Sequence, residues 1–159
     1  MAATRRRVLA LPGLLCDELV WTAQMAALDD IADVTIADLA GFDDLGDMAA
    51  AALATLDGRV DVFGHSMGGR VAFEVWRQAP ERVASLVVLD TGAHPAEPDE
   101  QTGRQRMLDI AANAGMEALA DAWLPRMVHP DRRSDVAFMQ PPVSYTHLRA
   151  HETADVISY

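Results

Sequence analysis

Short apolar runs alternate with longer stretches whose apolar residues recur every three or four positions. "RVLALPG" (Arg7–Gly13) is a brief apolar run ending in Pro-Gly, which predicts a buried strand entering a loop. Asp17 is then placed to cap a helix whose apolar face is Leu19, Val20, Ala23, Ala26 and Ala27. "DVTIADLAG" (Asp33–Gly41) is short and rich in β-branched residues, a second strand. Phe42, Leu45, Met48, Ala49, Ala52, Leu53 and Leu56 again fall at helical spacing, in a helix that Gly58 is expected to close. "RVDVFGHS" (Arg59–Ser66) predicts a third strand. Val71, Ala72, Val75, Trp76 and Ala79 predict the next helix, stopped by Pro80. "ASLVVLDTG" (Ala84–Gly92) is the fourth strand, and its run from Leu86 to Leu89 does not alternate, so cover on both faces is expected.

This β-α-β-α-β-α-β order implies an α/β fold: a parallel sheet with right-handed crossovers and helices on both faces. No internal repeat is present. After Pro98 only helical spacing remains, first in Met107, Ile110, Ala111 and Ala114, then in Met116, Leu119, Ala120, Trp123 and Met127, with Pro125 and Pro130 punctuating the end. Three segments follow: a core at residues 7–95, a helical segment at 96–140, and a tail at 141–159. Within the tail, "VSYTHLRAHET" (Val143–Thr153) lacks an apolar period and follows Pro141-Pro142. It reads as translated sequencing adapter, a non-native ending in which His147 and His151 have no catalytic role; a short natural tail is the competing view.

The bulk composition narrows the classes. The 159 residues suffice for one sizeable core, and 50% apolar with 23% charged residues is globular composition. A formal net charge of −11 argues against nucleic acid, since no Lys/Arg cluster is available to neutralise phosphates. Arg5 to Arg7 before an apolar run imitates a signal peptide, but Pro12-Gly13 breaks that run and no cleavage site follows. Nothing approaches the roughly 18 apolar residues of a membrane span, so no membrane partner and a cytoplasmic location are expected. Cys16 is the one cysteine and fits a small buried side chain better than a reactive thiol. No Cys/His cluster has metal spacing, so no metal or cofactor is implied.

The chemistry concentrates in Gly64-His65-Ser66-Met67-Gly68, set between the third strand and its helix. A serine hydroxyl is a poor nucleophile that must be exposed, aimed and relieved of its proton. Gly-x-Ser-x-Gly in a strand-to-helix turn achieves the first two: the chain reverses so sharply that the serine is strained, and Gly64 and Gly68 remove side chains that would collide. Amides at the start of the helix favour negative charge beside Ser66. The Met67 N–H is the natural first donor to an oxyanion. The loop "LPGLLCD" after the first strand offers a second at Leu14, although an ordinary strand-to-helix turn is the bland alternative.

"LPGLLCDELVW", "GHSMGGRVAFEV" and "LVVLDTGAHP" together resemble the front half of an α/β-hydrolase-fold serine esterase, from Val8 to about Pro95; Met107 to about Phe138 resembles the helical cap more loosely. The resemblance implies Ser66 as nucleophile, Met67 and the residue after the Gly of the first loop, here Leu14, as oxyanion donors, and a small ester as substrate. Many members have His-Gly where this chain has Pro12-Gly13. It also implies that the family's first two strands are trimmed and that the two late strands carrying the acid and the histidine are missing, which would leave this piece inactive. A triad within the chain is formally available as Ser66, Asp90 and His129, with His94 also following the acid, but His129 before Pro130 fits a surface position. Two other functions compete. One is a non-catalytic α/β module binding a hydrophobic small molecule under the cap. The other, nucleotide binding, lacks Gly-x-Gly-x-x-Gly after the first strand.

Overall fold

The computed structural model describes residues 5–93 and 98–134. Four strands form one wholly parallel sheet: β1 (Arg6–Leu11), β2 (Ala32–Ile36), β3 (Val60–His65) and β4 (Val83–Leu89), in spatial order β2-β1-β3-β4. The helices between them are α1 (Thr22–Leu28), α2 (Leu45–Ala54) and α3 (Met67–Gln78). In the inner strands Val8 to Leu11, Val60 and Val62 are buried irrespective of which face they point to. Such strands must be covered on both sides, as in sheets built from βαβ units. Residues up to 93 form one compact unit; those from 98 onward belong to a second, helical one, α4 (Pro98–Met127).

Several element ends differ from the sequence expectation, each for a local reason. The second strand stops at Ile36 rather than Gly41, because the Asp38 carboxylate accepts the Ala40 N–H at 3.1 Å and turns the chain. The second helix ends at Ala54, well before Gly58. There the Thr55 hydroxyl donates to the Ala52 carbonyl at 2.7 Å, and the Arg82 guanidinium collects the Leu53, Leu56 and Gly58 carbonyls that the helix leaves free. Asp17 caps as expected, but it caps a 3-10 turn (Glu18–Trp21) that leads into α1. Gly115, at φ 85° and ψ 176°, divides α4 between the two stripes seen in the sequence. Met116, Leu119 and Ala120 are buried, whereas Met127, the last residue assigned to the second stripe, is 60% exposed.

The fourth strand corrects one expectation. Its unbroken apolar run predicts cover on both faces, yet Val88 and Leu89 are exposed and only Val83 is buried. It is an end strand among the described residues, paired to β3 alone.

The amino end of the sheet carries a polar bridge across three strands. Asp61, buried in β3, accepts from Arg6 Nε and Nη2 on β1 at 2.6 Å each and from the Ser85 hydroxyl on β4 at 2.6 Å. The bidentate Arg6 hydrogen bonds hold the Asp61 carboxyl below the usual carboxylate range, against the opposing effect of burial. A depressed native pKa stabilises the fold above the unfolded-state value and ceases to do so as pH falls through the native one. Asp61→Ala should therefore cost about 1–3 kcal/mol at neutral pH. In urea titrations across pH, the gap to the parent should narrow below about pH 4.

Candidate active site

The carboxyl ends of β1, β3 and β4 lie side by side, with Leu11 opposite Gly64 and His65 opposite Leu89. All three positive-φ residues other than glycine among the described residues follow these ends: Leu15 at 59°, Ser66 at 55° and Asp90 at 48°. Each such residue costs on the order of 1–3 kcal/mol and persists only where its surroundings dictate it. Strain is thus gathered on one edge of the sheet, the edge at which open α/β folds place ligands.

Ser66 is strained beyond its positive φ, because its ψ of −117° puts it outside even the left-handed helical region. It sits between the last residue of β3 and the first of α3. Both flanking glycines are sterically required. A Cβ on Gly64 would lie 2.4 Å from the Gly68 carbonyl oxygen, and one on Gly68 only 2.1 Å from the Leu11 carbonyl oxygen. The strand-to-helix turn over residues 64–68, an elbow in the chain, is therefore pressed against both β1 and its own helix. Ser66 itself is half-buried, with Met67 buried beneath the turn. Because Met67 opens α3, its N–H belongs to the first helical turn, whose amides have no intrahelical acceptor and favour an anion.

The loop after β1 closes on the same spot. A Cβ on Gly13 would come within 3.2 Å of the Ser66 Cβ and 3.0 Å of His65 Nδ1, so the backbone passes in contact with the elbow. The Cys16 N–H returns to the Gly13 carbonyl at 3.1 Å, forming a turn with half-buried Leu14 and strained Leu15 at its centre. His65 is half-buried, and its Nδ1 is buried beside Gly13 without a hydrogen-bond partner among the described residues.

Of the residues singled out from sequence, Ser66, Met67, Gly64, Gly68, Leu14 and Asp90 belong to this edge. Asp90 follows β4 directly, with its side chain exposed. His129 belongs to the second compact unit; it is exposed, and its Nδ1 accepts the Asp131 N–H at 3.4 Å. His94 and the 141–159 tail lie outside the described residues. Two participants were not singled out: Gly69, whose missing side chain admits Thr91, and Thr91 itself, whose hydroxyl donates to the Ser66 carbonyl at 2.6 Å. The third glycine in Gly68-Gly69 was the available signal for the first. Among the described residues no group of three or more His, Cys, Asp or Glu is placed to hold a metal ion, and no helix is long and apolar enough to cross a membrane.

Comparison with known proteins agrees with this architecture. Residues 42–116 match the family model of the alpha/beta hydrolase fold. A thermophilic esterase from Thermogutta terrifontis is similar at 25% identity and a TM-score of 0.68, over 96% of this chain and 64% of its own. An enol-lactonase from Burkholderia xenovorans superposes with a TM-score of 0.80 at 21% identity, over 96% of this chain and 64% of its own. A hydrolase from Pseudomonas aeruginosa gives 0.83 at 19% identity, over 99% of this chain and again 64% of its own. This chain thus spans a little under two thirds of the length of each. No curated protein sequence matches it. By its parallel sheet, by these superpositions and by the match over residues 42–116, the chain has the α/β-hydrolase fold.

Proposed function

We propose that Ser66 is the nucleophile of a carboxylic ester hydrolase, acting through an acyl-enzyme. The observation that carries this reading is the backbone of Ser66, φ 55° and ψ −117°, between a strand and a helix and packed on both sides by glycine. A non-glycine residue in that conformation is costly, and the cost is intelligible where the turn must project a side chain over the sheet edge. Ser66 Oγ would attack the ester carbonyl carbon while a histidine takes its proton. The resulting oxyanion is held by the Met67 N–H, with the Leu14 N–H as second donor. Collapse expels the alcohol, which regains that proton, and water then hydrolyses the acyl-enzyme by the same steps. Each donor contributes roughly 3–4 kcal/mol to the transition state.

An ester as substrate is supported by two structural neighbours, one an esterase and one an enol-lactonase, since a lactone is a cyclic ester. In chain order the acid and the base follow the serine, and Asp90, on the same edge of the sheet, has the position of such an acid. A fluorophosphonate probe applied to the complete gene product should form one covalent adduct, located at Ser66 by peptide mass spectrometry. Ser66→Ala should abolish it while Ser85→Ala leaves it intact. An adduct at another residue, or labelling that survives Ser66→Ala, would refute the assignment.

A further inference from the structure

The exit of β4 grips the elbow at two points. The Ser66 N–H donates to the Leu89 carbonyl at 2.9 Å, and the Ser66 carbonyl accepts from the Thr91 hydroxyl at 2.6 Å as well as from the Gly69 N–H at 3.0 Å. Asp90, the residue between these two anchors, has the unusual φ of 48°. The turn it makes sends the chain back so that Thr91 reaches the same serine as Leu89 does. Thr91 is itself confined, since a Cβ on Gly69 would stand 2.6 Å from both its Cβ and its Oγ1 and 2.8 Å from its Cγ2. The threonine therefore occupies the space left by the third glycine of the elbow.

The Ser66 carbonyl and the Met67 N–H are two ends of one planar peptide group. Whatever fixes the carbonyl direction also fixes where the N–H points, on the opposite side. A hydrogen bond accepted by the carbonyl further polarises the group and strengthens its N–H as a donor. From this we infer that Thr91 is a positioning residue: its hydroxyl aims and polarises the Met67 amide that receives the developing oxyanion. The inference rests on the reading of Ser66 as nucleophile and adds to it a residue that never touches substrate.

The two are separable in one experiment on the complete gene product. Fluorophosphonate inactivation is followed in the parent, Thr91→Val and Thr91→Ser, giving the maximal inactivation rate and the half-saturating probe concentration separately, alongside melting temperature. Thr91→Val keeps the shape and loses the donor. It should slow the maximal rate about tenfold, the weight of one lost hydrogen bond, with little change in half-saturation, because the amide acts on the transition state and not on ground-state binding. Thr91→Ser should restore the rate to within about twofold of the parent. A merely structural threonine would lower the melting temperature and leave the rate of the folded fraction unchanged. If Thr91→Val does not fold, Thr91→Cys replaces it, since the thiol is a weak donor and should inactivate more slowly than Thr91→Ser. Equal rates in the folded variants overturn the role of Thr91 alone. A parent protein that takes no label at Ser66 overturns the nucleophile assignment, and the role of Thr91 with it.

Discussion

Gly68→Ala should remove a large share of the stability of the core, whereas Gly103→Ala should slightly stabilise the helix that carries it. The contrast follows from what each new methyl would meet. At Gly68 it would lie 2.1 Å from the Leu11 carbonyl oxygen, 2.5 Å from that of Pro12 and 2.6 Å from the Leu11 carbonyl carbon. These are backbone atoms of β1 and the loop after it, so no side chain can swing aside. Relief requires α3 to move off the sheet, which would expose Val71, Ala72 and Val75, all fully buried. A loss of roughly 4 kcal/mol or more is expected, a large share of the 5–15 kcal/mol that holds a typical domain. Gly103, by contrast, lies in α4 with nothing within 4 Å of its added Cβ, and alanine there should gain about 0.5–1 kcal/mol from helix propensity. Urea denaturation of the two variants beside the parent measures both numbers. A Gly68→Ala protein as stable as the parent would mean that the elbow does not sit against β1 as described.

Replacing Ser66 should separate activity from stability. Both Ser66→Ala and Ser66→Gly remove the hydroxyl, which on the reading proposed for Ser66 should cost on the order of 10⁶ in turnover. Their stabilities should differ. Alanine keeps a Cβ in the conformation at φ 55° and ψ −117°, so it inherits the strain. Glycine adopts that conformation at little cost, and Ser66→Gly should be about 1 kcal/mol more stable than Ser66→Ala. Ester turnover by the complete gene product and thermal unfolding test the two halves independently. Equal stability of the two variants would remove the strain that supports the assignment of Ser66, and undiminished turnover would remove the assignment itself.

Much of the architecture is legible in the amino-acid order because the signals are local. Apolar runs bounded by Pro and Gly mark strands, and three-and-four spacing marks helices. The four strands and the helix following the serine all appear within a few residues of their expected places. The errors fall at element ends, where one hydrogen bond decides. Thr55 and Arg82 end α2 before Gly58, and Asp38 ends β2 before Gly41. The exposed carboxyl end of β4 departs from expectation for another reason: an apolar run reports what a strand is suited to contact, while its neighbours determine what it does contact.

The same division runs through the site. Strand, Gly64, Ser66, Gly68 and helix are contiguous, so the elbow can be recognised from a dozen consecutive residues. Period and spacing act over one or two turns of chain, and the order of amino acids is sufficient to specify them. Gly13 against Ser66, Leu89 and Thr91 gripping the serine from more than 20 residues further along the chain, and Asp61 tying β1 to β4 have no such signature. They exist because a parallel sheet sets distant strand ends side by side. Their partners are chosen by register, a property of paired strands and of no single segment.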